Sequence, residues 1–535
     1  MFGKIARKLR AFRQKQKQPA GGLPQGNPIS SGQPVSADLT VNLQQVRTLF
    51  SQSSDMIIRE FRIGTGEQVR AFIVFVEGLV DKTILHGNLL KPLMLDARLT
   101  PPNQGVAGKR VPDLIKESAL AVGDLRETGD FNQAIDAVLS GDTALFIDGH
   151  GAAFLVGARG WEARGIETPD IEMVVRGPRE GFTETLRTNT SLLRRKIKNP
   201  NLKIETMKIG RQTRTEVAVV YLKGVVNDKI VEEVKQRLKR IDIDGVLESG
   251  YLEEFIEDAP FSPFATVGNT EKPDVVAAKL LEGRVAVLVD GTPFALTIPY
   301  LLIESLQVAE DYYSRPFYAT LIRWIRLLSF FLTVASPAIY VVLVTFHQEM
   351  IPTSLYRTVA ASREGVPFPA AVEALVMGIV FEILREAGVR LPRPVGQAIS
   401  IVGALIIGEM AVTAGLIGSM MVIVVALTAI SGFVVSAMSD AVAVLRLVLI
   451  SLAGALGQFG LMVGLVGILI HLASLRSFGI PYLTPVGPLT VQDLKDVVIR
   501  APWWAMGRRP RAIGWHNPVR QEPGQKPGPP GDEEK

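Results

Sequence analysis

A single carboxylate interrupts the most apolar part of this sequence. Glu409 lies in GALIIGEMAVTAGLI and is the one formal charge between Pro394 and Ser439. An ionised side chain at the centre of a bilayer costs about 3 kcal/mol even on lenient scales, so Glu409 is expected to face protein or water. It is a candidate residue of an ion path or a proton relay. The structural alternative is a protonated or paired carboxyl that only holds helices together.

A second charged pair lies upstream in a helical pattern. Glu382 and Arg385 are three residues apart, so they share one face of a helix and can pair locally. They are candidates for the same ion path or for coupling between helices, and the alternative is a local ion pair.

A third charged segment is RGPREGFTETLRTNTSLLRRKIKNP, residues 176–200. Its Gly-Pro pair and its charge predict a structured, exposed connector. The candidate residues for contact with a partner or with a neighbouring lobe are Arg176, Arg179, Glu180, Arg194 and Arg195. The alternative is a solvated loop and helix.

Enzyme chemistry is not indicated by the remaining residues. The chain has no cysteine, and its five histidines show no close pairing of the kind that binds metal. Gly64-Thr-Gly66 lacks the third glycine of a dinucleotide fingerprint, and Asp148 beside His150 is typical of turn chemistry. We therefore predict no catalytic residue, no metal, no cofactor and no nucleic-acid partner.

An internal repeat defines the soluble part that must position these residues. Residues 56–84 align without a gap on residues 202–230, so that IVFVEGLVDKTI matches VVYLKGVVNDKI at an offset of 146. ALFIDGHGAAFLV from Ala144 matches AVLVDGTPFALTI from Ala286, and each Asp-Gly pair predicts a type I′ hairpin. The sequence predicts two similar α/β lobes, residues 38–157 and 158–305.

Long uncharged runs follow this head and predict an all-α polytopic membrane domain of four to five helices, residues 306–476. Leu327–Phe346 is long enough to cross a hydrocarbon core of about 30 Å, and residues 394–439 have room for two helices. Residues 447–475 supply a fourth span as one tilted or broken helix. Residues 370–384 form a fifth span, a re-entrant piece or an interfacial helix.

Glycines recur along the predicted fourth span. They are spaced at three, four and three residues, which places them on one face that favours backbone-to-backbone helix packing. The candidate packing residues are Gly457, Gly460, Gly464 and Gly467.

The two ends of the chain differ from the head and the spans. Residues 1–37 are predicted to be a basic tail and flexible linker, with seven Lys or Arg in the first 18 residues. Residues 477–512 are expected to contain an amphipathic helix, and residues 513–535 to be disordered. Arginines flank the spans on both sides, which predicts that both ends lie in the cytosol.

Several long motifs resemble one known family. VVRGPREGFTETLRTNTSLLRRKIKNP at 174–200 resembles the signature stretch of A subunits of spore germination receptors of the GerA family. Three further stretches resemble that family in the same order: LVDGTPFALTIP at 288–299, EDYYSRPFYATLIRWIR at 310–326 and FEILREAGVRLPRPVGQAISIVGALIIGEMAVTAGLI at 381–417. The resemblance covers roughly residues 40 to 510.

This resemblance implies a function that the composition of the chain does not indicate. It implies a multi-pass component of a nutrient receptor in the inner membrane of a bacterial spore, with its head on the cytoplasmic side. The implied partners are a permease-like B subunit, a lipoprotein C subunit, membrane lipid and further copies of the chain as a homo-oligomer. The implied activity is that of an oligomeric ion channel gated by nutrient bound on a partner. The alternatives are a stand-alone transporter and a non-conducting scaffold.

Overall fold

The structure is a computed structural model that describes residues 32–63, 69–91, 93–94, 125–160, 172, 174–390, 408–490, 492–514, 517–522 and 524–528. The chain forms two compact units. The first unit comprises residues up to 165 together with 190–205 and 222–225, and the second comprises the rest.

The first lobe is built on a five-stranded sheet with helical segments on both faces. Its strands are β1 (Met56–Ile63), β2 (Val69–Val76), β3 (Leu125–Thr128), β4 (Thr143–Ile147) and β5 (Ala153–Val156), in the antiparallel order β1-β2-β4-β5-β3. Helices α1 (Leu39–Leu49) and α2 (Phe131–Leu139) cover one face, where Phe72 and Phe146 are buried. A short helix, Lys82–Ile84, continues into a π-helix, Leu85–Leu90, on the other face, where Ile73 is buried.

The second sheet repeats the first. Its strands are β6 (Leu202–Ile209), β7 (Thr215–Leu222), β8 (Gly268–Thr270), β9 (Val285–Val289) and β10 (Ala295–Ile298), in the order β6-β7-β9-β10-β8. The helices are α3 (Leu186–Lys196), α4 (Asp228–Arg240), α5 (Ser249–Ile256) and α6 (Pro273–Glu282). The strand bounds keep the offsets of 146 and 142 found in the sequence, and Asp81 and Asn227 cap equivalent helix starts. The predicted repeat is therefore confirmed at the level of sheet order.

The predicted Asp-Gly hairpins form, but their turns differ from the prediction. The strands are joined by residues 148–152 and 290–294, five residues in place of the two of a type I′ turn. Gly149 and Gly291 have φ of +78° and +93°, whereas neither aspartate has the positive φ that type I′ requires. The carboxylates serve instead as acceptors, Asp148 for Arg70 and Asp290 for the Leu186 N–H.

The helical region follows the second lobe through two 3₁₀ turns, Leu302–Leu306 and Ala309–Tyr312. Its helices are α7 (Pro316–Thr345), α8 (Thr353–Arg363), α9 (Ala370–Arg390), α10 (Gly408–Thr413), α11 (Ser419–Val434) and α12 (Ser439–Ser474), with 3₁₀ turns at Gln348–Met350 and Ser436–Met438. Among the described residues, Pro316–Thr345 and Ser436–Ser474 are long and apolar enough to cross a bilayer, which fits membrane association. The start of the predicted second span, residues 394–407, lies outside the described residues.

Helix α12 is a hairpin of two arms. Gly457 has φ +60° and ψ −139°, outside the helical region, and is buried against the ring of Phe346. A Cβ at Gly460 would overlap the carbonyl oxygen of Leu452, and one at Gly464 would overlap Leu449. A continuous helix would hold these pairs about 12 and 22 Å apart. Of the two forms considered for the fourth span, the broken one is present, and the prediction of one continuous glycine face is wrong.

The segment after α12 is ordered without an α-helix. Residues 475–490 and 492–514 contain the short hairpin Arg476–Ser477 with Ile480–Pro481 and the 3₁₀ turns Leu494–Asp496 and Trp503–Ala505. The predicted amphipathic helix is wrong because this stretch makes its hydrogen bonds to other segments, as when Gln307 donates to the Asp496 carbonyl. The predicted disordered tail is wrong at its start, since Ile513 is buried in the core of the second lobe and Arg520 pairs with Glu282.

The predicted linker also ends earlier than expected. Val35 is buried in the core of the first lobe, and the Phe131 N–H donates to the Gln33 carbonyl. Residues 33–37, counted as linker, therefore belong to the lobe, because one buried apolar side chain and three backbone hydrogen bonds fix the segment.

Candidate functional site

A group of buried charges lies where the second lobe gives way to the first long helix. We call it the junction cluster, and it consists of Asp311, Tyr312, Arg323, Arg326, Asp496 and Arg500. Three segments supply it: the 3₁₀ turn that follows the lobe, the first turns of α7, and the C-terminal segment. The cluster thus connects the head, the helical region and the end of the chain through side chains.

Asp311 is the centre of this cluster. Arg326 donates to both of its oxygens at 2.8 Å, and the Nε of Arg323 donates to Oδ2 at 3.1 Å. Arg323 and Arg326 are three residues apart on α7, so both reach the same carboxylate from one helix face. The bidentate geometry is the stronger form of a charge-assisted hydrogen bond and fixes orientation as well as distance.

The C-terminal segment closes the cluster from the other side. Arg323 Nη1 donates to Asp496 at both its carbonyl, 2.7 Å, and its Oδ1, 3.0 Å, while the Tyr312 hydroxyl donates to Asp496 Oδ2 at 3.0 Å. Arg500 donates to the carbonyls of Asp311 and Tyr312. Removal of Asp311 would leave the buried Arg326 without the carboxylate that it binds.

Burial shifts the pKa of two acidic groups of this cluster. It raises the pKa of Asp496, against the opposing effect of Arg323, because a buried carboxylate loses its hydration. It likewise raises the pKa of Tyr312, whose hydroxyl stays neutral and serves as a donor. With the carboxylates ionised, three arginines face two aspartates, so the cluster keeps an excess of positive charge.

A second buried ion pair joins two helices of the bundle. Glu382 on α9 binds Arg446 on α12, whose side chain is buried, and also accepts from Arg385 at 2.9 Å. The predicted local pair of Glu382 and Arg385 is present. Sequence reasoning missed Arg446, although an arginine next to a long apolar run was a signal that could have identified it.

The most deeply buried carboxylate of the helical region is Glu373, which was not among the predicted site residues. It is 2% exposed and accepts the Gly418 N–H at 2.9 Å. Arg363 approaches it at 3.1 Å. Glu373 therefore holds α8, α9 and the start of α11 together.

Glu409 lies elsewhere. It is exposed on α10, and its backbone carbonyl accepts from the Thr413 hydroxyl. Its side chain is exposed within one chain, and the expectation that it faces protein or water stays a prediction.

The connector residues fall into two groups. Arg194 is fully buried, and its Nε and Nη2 donate to Asp55 at 2.6 and 2.9 Å within the first unit, while Arg195 is half-buried. In the second unit Arg176 and Arg179 are exposed and Glu180 is half-buried. Arg194 thus contacts Asp55 of the first lobe. Arg176 and Arg179 remain candidates for a partner surface.

No metal site accompanies these groups within the part of the chain that the structure describes. There, no group of three or more His, Asp or Glu side chains is arranged to hold an ion. The described chemistry is that of ion pairs that link helices to a head.

A two-lobed α/β head followed by apolar helices with buried ion pairs defines a membrane-associated class of proteins. The family model "Bacillus/Clostridium GerA spore germination protein" matches residues 44–512. The chain therefore belongs to the GerA family of spore germination proteins, the A subunits of germinant receptors.

Individual relatives agree with this assignment. The chain is 46% identical over 497 residues to "Spore germination protein KA" of Bacillus subtilis (strain 168), covering 92% of this chain and 90% of the relative. It is 37% identical over 473 residues to "Spore germination protein GerLA" of Bacillus cereus, covering 88% and 94%. The solved N-terminal domain of the A subunit of the Bacillus megaterium spore germinant receptor GerK3 is 40% identical, covers 50% of this chain and 98% of that domain, and has a TM-score of 0.40.

Proposed function

We propose that this chain is the A subunit of a multisubunit nutrient receptor of the spore inner membrane and that its helices form a gated ion path in a homo-oligomer. The junction cluster is the observation that supports the proposal best. It ties a water-soluble head to the first long apolar helix through charges that tolerate little rearrangement.

The proposed mechanism is a shift between two packings of the helices. Nutrient bound by a permease-like B subunit, with a lipoprotein C subunit in the complex, biases the position of the head. Because Asp311 and Asp496 hold Arg323 and Arg326, movement of the head displaces the start of α7. The head lies on the cytoplasmic side in this proposal, as the flanking arginines favour.

The ion path is proposed to lie between copies of the chain. Exposed Glu409 lines that path or contacts a neighbouring copy, and the Glu382–Arg446 and Glu373–Arg363 pairs keep the surrounding helices in register. An exposed carboxylate beside apolar helices is costly against lipid, which supports a protein- or water-facing position in the oligomer.

Asp496→Asn tests the coupling. The substitution keeps the shape but removes one charge that holds Arg323. In spores with this receptor as their nutrient sensor, nutrient-triggered loss of optical density is expected to slow about tenfold at normal protein level. A tenfold change corresponds to a loss of about 1.4 kcal/mol in the free energy that couples the head to α7. Asp242→Asn is the matched control, because Asp242 pairs with Arg211 at the surface. Normal germination of the Asp496 variant at normal protein level contradicts the proposal.

A further inference from the structure

An apolar face without a partner lies on the second lobe. Tyr251 and Phe255 are 43% and 55% exposed and are one turn apart on α5, while Leu252 and Ile256 on the opposite side are buried. Leu247, which precedes the N-cap residue Glu248 of α5, is 67% exposed. Scattered apolar side chains are ordinary on surfaces, but Tyr251 and Phe255 share one face of the helix and Leu247 lies just before its start. We call these three residues the stripe.

The loop that follows α5 adds an aromatic anchor to this stripe. Phe261 is 100% exposed, yet the loop around it is fixed on both sides. Asp258 binds Arg237 at 2.7 Å, and the Ser262 hydroxyl lies 2.8 Å from Nε2 of His471 at the end of α12. Phe264 is buried against the rings of His471 and Tyr482. A loop that is held on both sides loses little backbone entropy on binding, and aromatic side chains are typical of binding hot spots.

The charge around this face identifies the chemistry of its partner. Residues 241–258, IDIDGVLESGYLEEFIED, contain seven acidic residues and no basic one, although the whole chain carries a net charge of +5. Asp242 and Asp258 are paired with arginines. Of the other five acidic residues, Glu254 lies on α5 next to Phe255, and Glu257 is the C-cap residue of that helix. Burial and the neighbouring glutamates also raise the pKa of Glu253, which agrees with an excess of negative charge.

We propose that Leu247, Tyr251, Phe255 and Phe261 form a docking face for a basic, apolar segment of a different membrane protein. Like-charged rims disfavour a two-fold contact of this face with itself, and carboxylates disfavour anionic lipid. The bond to His471 holds the face at the head-side end of the apolar helices. On that side, loops of polytopic membrane proteins are rich in Lys and Arg. The inference rests on the proposed multisubunit receptor and adds the surface that binds the other subunit.

Photo-crosslinking in intact membranes tests the docking face. A benzophenone side chain is placed at Phe255 or Phe261, and the matched control is Leu281, which is 44% exposed on the same lobe. We expect about fivefold more adduct at the two test positions, with the label on a Lys- or Arg-rich stretch of another polypeptide. Glu254→Lys with Glu257→Lys is expected to lower that adduct about threefold. Adducts with lipid, with a second copy of this chain, or none above the control overturn the proposal.

A second comparison separates this inference from the proposed function. The triple variant Tyr251→Ser, Phe255→Ser and Phe261→Ser is expected to fold, since its side chains are exposed, and to lose co-purification of the crosslinked polypeptide. Asp496→Asn is expected to keep that co-purification and to slow germination about tenfold. If the triple variant co-purifies its partner normally, the docking face is wrong whatever the outcome for Asp496.

Discussion

Arg326 and Asp311 form a bidentate ion pair in which Nη1–Oδ2 and Nη2–Oδ1 both measure 2.8 Å. Asp311 belongs to the turn after the second lobe, and Arg326 lies about three turns into α7. The same carboxylate also binds Arg323, which in turn binds Asp496. One aspartate in the turn before the first apolar helix therefore binds two arginines of that helix.

Arg326→Lys is expected to destabilise this junction although the charge is retained. A lysine ammonium is a point charge and cannot reproduce two parallel hydrogen bonds. We expect the free energy of unfolding to fall by about 1–3 kcal/mol, which is less than the cost of removing a buried charge altogether. Thermal unfolding of the purified chain in detergent measures it, with Arg47→Lys in the exposed pair with Glu60 as control. Equal unfolding temperatures for the two variants would refute the claim that the geometry of this pair matters.

Gly457→Ala is expected to prevent normal folding of the α12 hairpin. Its φ of +60° with ψ −139° is a conformation that alanine avoids, and the added Cβ would lie 2.9 Å from the Phe346 ring. Gly467→Ala is the matched control, since it lies in a helical arm where the added methyl group meets nothing within 4 Å. The amount of membrane-inserted protein should fall for Gly457→Ala and should stay unchanged for Gly467→Ala. Equal amounts would contradict the hairpin.

Glu253→Gln should change how stability depends on pH. Burial, together with nearby Glu257, Glu248 and Glu254, raises the pKa of Glu253 from 4.5 to about 7. Between these values the folded chain holds a proton that the unfolded chain has released, so stability falls as pH rises through this window. The variant lacks this loss and should unfold about 2–4 °C higher than the parent at pH 8. At pH 4.5 the two should agree, and an equal difference at both pH values would be inconsistent with titration of Glu253.

Arg194→Met is expected to destabilise the first unit strongly. Arg194 is fully buried, and its loss leaves the equally buried Asp55 without this ion-pair partner. Such a change costs about 3–5 kcal/mol of stability. Lys198→Met on the same connector is the control, because Lys198 is exposed. Limited proteolysis of the two variants compares them directly. Should both resist digestion equally, the pair contributes nothing to the unit.

Local pattern was sufficient to predict most of the head. The repeat of residues 56–84 at 202–230 anticipated two sheets whose strands begin and end at equivalent residues, because alternation and capping are encoded within short segments. The Asp-Gly hairpins were placed correctly, but their loop length was wrong, since Asp148 and Asp290 are held by distant partners.

Charge partners were harder to predict, because they come from residues far apart in the chain. Glu382 was expected to pair with Arg385 on its own helix, and its binding to Arg446 depends on how two helices pack. The fold of α12 depends on one glycine conformation that a spacing rule does not reveal. Asp311 and Asp496 are 185 residues apart, so only the folded chain brings them to one arginine.

Nutrient-dependent ion flux in proteoliposomes tests the central claim most directly. The complete receptor is reconstituted with the parent chain, with Asp496→Asn, or with the control Asp242→Asn, and cation release is recorded after nutrient is added. We expect cation flux for the parent and the control, and a flux at least tenfold lower for Asp496→Asn. A silent membrane for the parent, or equal flux for all three chains, would contradict it.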